Sequence, residues 1–131
     1  MHELIATQRI LDAALEQADP ADGRRVRAVR LELGALAGVT EPSIRFYWDL
    51  LTPGTLAAGS SLDVRLVPGT IRCRACGQVS ETDDAFPICP ACASVDLAVL
   101  AGDGVVIAAV ETALSDEATG AAVAVVGPPA A

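Results

Sequence analysis

The sequence has no lysine, one histidine and four aromatic residues in 131 positions. Each shortage excludes something. Nine arginines are the only bases against seventeen acids, for a net charge of −8. That is the wrong sign for electrostatic attachment to nucleic acid or to an anionic membrane. No apolar run reaches the ~18 residues of a transmembrane helix. The start, Met1-His2-Glu3-Leu4, has no basic stretch followed by a long apolar one. No secretory signal is therefore expected, and the expected location is the cytoplasm. A single histidine leaves little for acid–base catalysis. There is no Ser/His/Asp set, phosphate-binding loop or dinucleotide fingerprint, so an enzyme is not expected.

The apolar share is 52%, but 25 residues are alanine, which spreads the hydrophobicity over small side chains. The length fits about one domain. Its core is modest, so support from a metal or a second subunit is in keeping with it.

Periodicity places the elements. Leu4, Leu11 and Leu15 recur at near-helical spacing, with Ile5 and Ala14 beside them. This predicts a helix over 2–18, stopped by the turn chemistry of Asp19-Pro20-Ala21-Asp22-Gly23. Val29, Leu31 and Leu33 alternate with Arg30 and Glu32, a strand over 25–33. Thr40-Glu41-Pro42 starts a second helix, carried by Ile44, Tyr47, Trp48 and Leu51. Leu62, Val64 and Leu66 give a second strand, broken by Pro68-Gly69. Val105 to Val110 reads as a buried third strand.

Between the last two strands the character changes. Residues 69–102 hold all four cysteines. Residues 1–68 carry nine acids and seven arginines, net −2, whereas residues 69–131 carry eight acids and two arginines, net −6. Two strands make a poor sheet on their own. The third, after the cysteine segment, would complete it. The expected architecture is therefore α+β: two helices packed on a three-stranded sheet, with an inserted zinc-ribbon domain. In this reading residues 1–68, completed by strand 103–112, form one domain. Residues 69–102 are the insert, and 113–131 form a flexible tail. Two sequential domains are the alternative.

The cysteines read Cys73-Arg74-Ala75-Cys76-Gly77 and Cys89-Pro90-Ala91-Cys92. Each two-residue gap lets one tight turn aim two sulfurs at one point. Gly77 suits the positive φ such a turn can require. Two turns brought together make a tetrahedral four-sulfur cage, which favours structural zinc at Cys73, Cys76, Cys89 and Cys92. Three other readings compete. Two disulfides require an oxidising compartment. A redox pair would be one C-x2-C, not two in tandem. An iron–sulfur cluster also takes four cysteines.

His2 is the sole histidine. A lone histidine is ordinarily just an exposed polar residue, but its position is unusual. With Met1 retained, the α-amine, the His2 amide, the His2 imidazole and the Glu3 amide can close on one metal in fused rings. Ligating amide nitrogens favour a square plane, which points to Ni(II) or Cu(II). Glu3 adds a carboxylate that could be an axial ligand or a base. It could equally be a first-turn acid favoured by the helix dipole.

Taken together, these features resemble the HypA/HybF family, the nickel metallochaperones of nickel–iron hydrogenase maturation. The matching residues are Met1-His2-Glu3-Leu4, then Val26 to Val39 (Val-Arg-Ala-Val-Arg-Leu-Glu-Leu-Gly-Ala-Leu-Ala-Gly-Val). Glu41-Pro42, Phe46 to Leu51, Gly54-Thr55 and the two knuckles follow. The resemblance implies nickel held by His2 and Met1 with backbone amides, Glu3 in support, and zinc on the four cysteines. It implies action with the GTPase HypB and docking on the hydrogenase large subunit, as a monomer or homodimer. Some relatives also serve urease. Two departures stand out. Ala93 follows the last cysteine where the family often has glycine, so a strained turn is expected. The tail from about Ala113 is also long. The competing function is a zinc-stabilised interaction module that delivers no metal.

Overall fold

The computed structural model describes residues 2–114 and 122–124. Helix α1 spans His2–Leu15. Its buried face is Thr7, Ile10, Leu11 and Ala14, and Ile5 points out. The helix stops three residues short of the expected Ala18. There the bonding tightens to three-residue turns, Gln17 N–H to Ala14 and Ala18 N–H to Leu15. Asp19 then bonds Arg24 in both directions, which turns the chain into strand β1.

Strand β1 (Arg24–Gly34) is followed by α2 (Glu41–Leu51) and β2 (Ser61–Val67). The β1–α2–β2 unit is a crossover, so β2 lies parallel to β1, with Val29 opposite Leu62 and Leu33 opposite Leu66. Thr40 caps α2, its Oγ1 accepting from the Ser43 amide at 3.3 Å, and Pro42 lies in the first turn. Ile44 and Trp48 turn inward, and the Trp48 indole N–H donates to Ser60 Oγ at 3.1 Å. That bond removes the cost of burying the indole donor.

After the cysteine segment, strand β6 (Val105–Leu114) returns antiparallel to β1. The labels β3, β4 and β5 belong to the intervening Gly69–Cys73, Val79–Thr82 and Leu97–Ala101. These form a second sheet, ordered β4-β3-β5. The expected three-stranded sheet is present as β2-β1-β6. It gains a fourth short strand, β7 (Ala122–Ala124), on the β6 edge. The sheet therefore extends further than periodicity indicated. Strand β6 runs two residues past the expected end, and β7 falls inside the expected flexible tail. The rest of that tail, 115–121 and 125–131, lies outside the described residues.

The main core joins α1 (Ile10, Leu11, Ala14), α2 (Ile44, Trp48), β1 (Val26, Val29, Leu31, Leu33) and β6 (Val105, Ile107, Val110). Val26 and Val29 both face it although three residues apart. A register shift between Val26 and Ala28 takes up the extra residue. Truncating Trp48 to alanine here would cost about 3–5 kcal/mol. The second sheet has no comparable core: Ile71, Cys73 and Cys89 are its only buried apolar residues.

Candidate metal centre

Each cysteine pair sits in a knuckle, and the two knuckles repeat one hydrogen-bond plan. Cys73 N–H donates to the Gln78 carbonyl and Gly77 N–H to the Cys73 carbonyl, both at 2.9 Å. In the second knuckle Cys89 N–H donates to Ser94 at 2.9 Å and Ala93 N–H to Cys89 at 2.8 Å. The equivalent fifth positions both take positive φ, 80° at Gly77 and 64° at Ala93. Ala93 is the only non-glycine residue with positive φ among the described residues. The strained turn expected from the missing glycine is therefore present.

The knuckles close on each other. All four Sγ atoms lie within 4.8 Å of one another. Cys73 and Cys92 approach to 3.6 Å, as do Cys76 and Cys89. A tetrahedron of sulfurs ~2.3 Å from one zinc has edges of roughly 3.8 Å. The donor set and its size thus fit a single thiophilic ion. Cys73 and Cys89 are buried, while Cys76 and Cys92 reach the surface. A brace crosses the outside. Arg74 pairs with Asp96 at 3.0 Å and its guanidinium also donates to the Leu97 carbonyl at 3.1 Å. Arg74 N–H donates to the Asp96 carbonyl at 2.9 Å.

The knuckles set the acidity of their sulfurs. The Cys76 amide points at Cys73 Sγ from 3.4 Å. This backbone donor is the main reason the Cys73 thiol is lowered to about 6, despite burial acting the other way. Cys89 is lowered likewise, chiefly by the Cys92 amide. For Cys92 the largest influence, the Ser94 amide, lowers the pKa. It is outweighed by sharing a proton with Cys73 and by burial, and the thiol rises to about 12. Cys76 also rises, its Gln78 amide outweighed by Cys89 and burial. In each close pair one sulfur is thus made more acidic and its partner less.

The expected nickel residues occupy the other end of the chain. Met1 lies outside the described residues. His2 opens α1, and Glu3 follows in its first turn, partly buried. The Glu3 carbonyl accepts from Thr7 Oγ1 at 2.7 Å, a bond within the first turns of the helix. His2 and Glu3 belong to a different element from the sulfur cage.

Sequence reasoning did not find the contacts at the junction between the two sheets. The chain passes from β2 to β3 at Pro68-Gly69 and returns at Gly102. Gly34 N–H donates to Gly104, Ala35 N–H to Val67, and Leu36 N–H to Gly102, at 3.0, 2.9 and 2.8 Å. The Leu36 side chain lies against Gly69. Pro68-Gly69 and Gly102-Asp103-Gly104, flanking the insert, were the available signal.

Residues 1–112 match the family model described as hydrogenase/urease nickel incorporation, metallochaperone, hypA. The hydrogenase maturation factor HypA of Acidithiobacillus ferrooxidans is 41% identical over 103 residues, covering 79% of this chain and 91% of that protein. The HypA of Dehalococcoides mccartyi is 32% identical over 111 residues, covering 85% and 93%. The solution structure of the nickel metallochaperone HypA from Helicobacter pylori superposes with a TM-score of 0.58. It covers 86% of this chain and 98% of that one, and at 14% identity it bears on the fold alone.

Proposed function

The chain belongs to the HypA family of nickel-incorporation metallochaperones, and from that premise we propose that it carries Ni(II) at its N-terminus and delivers it to a hydrogenase large subunit. The observation that carries the reading is the family match, which runs from residue 1 and so includes Met1-His2-Glu3. Nickel is the cargo. Its ligands are the Met1 amine, the His2 imidazole and backbone amides of His2 and Glu3, with the Glu3 carboxylate in support. A site at the end of a helix can be presented to another protein. All its donors bind deprotonated, and the imidazole and α-amine titrate near ~6.5 and ~8 in model compounds, so acid releases the ion. Cu(II) binds such a site more tightly than Ni(II), and selectivity comes from availability and partners.

Structural zinc is the resident ion, held by Cys73, Cys76, Cys89 and Cys92. It supplies the fold energy that a sheet with so small a core lacks. Residues 1–68 with strand 103–112 act as the nickel domain and 69–102 as the zinc ribbon inserted in it. The HypB GTPase acts alongside, the site of action is the cytoplasm, and the chain works as a monomer or homodimer.

Nickel transfer tests the reading. Nickel-loaded protein is mixed with nickel-free large-subunit precursor, the two are separated, and the metal in each is measured. Delivery predicts nickel in the precursor. An interaction module that holds only zinc leaves the precursor empty.

A further inference from the structure

The cysteine segment displays apolar side chains it has no core to receive. Phe86 is 89% exposed, Val95 77% and Ile88 56%. Their positions are fixed by the fold. The bond from Cys89 N–H to the Ser94 carbonyl joins the two arms of the second knuckle, and Ile88 and Val95 are the residues immediately outside it. Phe86 stands two residues earlier on a built turn. Asp84 N–H donates to Thr82 Oγ1 and Phe86 N–H to Asp84 Oδ1, both at 3.0 Å. Consecutive side-chain-to-backbone turns of this kind hold a short loop in one shape. An aromatic presented on a preorganised loop loses little entropy on docking, which is what interface anchors require.

The loop that carries Phe86 is acidic where it leaves β4. Glu81, Asp83 and Asp84 are exposed and enter none of the ion pairs among the described residues, whereas Asp96 is neutralised by Arg74. A second copy of the chain is a poor occupant, because it would bring the same carboxylates and a further net −8. Charge complementarity selects a basic partner surface.

We propose that Phe86, with Asp83 and Asp84 before it in the loop and Ile88 and Val95 at the knuckle beyond it, docks the client receiving nickel, engaging an apolar cleft rimmed by arginine or lysine. This rests on the delivery reading above. Phe86 is the anchor. The carboxylates steer the encounter and set its salt dependence.

The test is binding of zinc-loaded full-length protein to the purified, nickel-free hydrogenase large-subunit precursor, followed by surface plasmon resonance. Phe86→Ala is expected to weaken binding about tenfold or more. The double variant Asp83→Asn, Asp84→Asn keeps an amide oxygen to accept from Phe86 N–H. It is expected to slow association and flatten its dependence on ionic strength. Zinc content and nickel binding should stay as in wild type, because the substituted side chains are exposed and hold neither ion. Variants that bind like wild type overturn the surface assignment and leave delivery standing. A wild type that does not bind the precursor overturns the delivery reading and the surface with it. Self-association of wild type that Phe86→Ala abolishes identifies a second copy as the occupant and overturns the client assignment.

Discussion

A β-carbon on Gly34 would lie 2.2 Å from the carbonyl oxygen of Gly102. The two glycines are where the main sheet meets the exit of the cysteine segment. Gly102 has φ +81° and would itself clash with the Pro68 carbonyl, and its own carbonyl is fixed by Leu36 N–H at 2.8 Å. Only backbone is in the way, so nothing flexible can yield. Gly34→Ala should destabilise the protein by about 1–3 kcal/mol, the cost of overpacking a tight site. Thermal unfolding checks this; an unchanged midpoint would mean the junction is looser than described. Gly104→Ala is the control, since a β-carbon there meets nothing.

Ala93 predicts the opposite sign. Its φ of 64° equals the role that Gly77 fills at 80°, and an L-residue in that conformation carries about 1–2 kcal/mol of strain. Ala93→Gly should recover roughly 0.5–1 kcal/mol after the glycine's extra unfolded-state entropy is subtracted. Transfer of zinc to a chelator should slow accordingly. Faster transfer would contradict the strain assignment.

The knuckle amides predict how zinc affinity depends on pH. Cys73 falls from an ordinary thiol value of 9.0 to about 6. A group lowered on folding favours the folded, ionised cluster fully above the unfolded value of 9.0. That contribution fades as pH falls and is gone below about 6. Cys92 runs the other way. Raised to about 12, it favours the folded state below 9.0 and loses that contribution as pH rises toward 12. In the acid direction Cys73 and Cys89 therefore decide. Zinc affinity should fall as pH falls, and more steeply below about 6, where Cys73 too must lose a proton to bind. Competition with a chelator at a series of pH values reads this out. An affinity that does not fall with acid would contradict it.

The two helices, β1 and β6 were legible because each buries one face against a single core, which imposes the periodicity that Val29, Leu31 and Leu33 or Ile44 and Trp48 show; β2 alternates likewise, but only Leu62 of its apolar face is buried and Leu66 is 64% exposed. The knuckles were legible because ligand spacing is a local property. Strands β3, β4 and β5 were not. Their sheet buries little, so Val79-Ser80-Glu81-Thr82 has no apolar face and Leu97 to Ala101 is apolar throughout. The crossing of Gly34 with Gly102 depends on tertiary approach. No local pattern encodes that. Ala93 lies between these cases. Its departure from the family's glycine signalled a strained turn, but only the coordinates give its φ.

The central claim is that the first residues of the chain hold nickel. It is tested most directly by titrating Ni(II) into untagged wild type and His2→Ala, with metal stoichiometry and the visible spectrum as readouts. About one diamagnetic, square-planar nickel per chain is expected in wild type, lost in His2→Ala while zinc content is unchanged. An N-terminal extension that blocks the amine should abolish the site as well. Equal nickel binding by wild type and His2→Ala would contradict it.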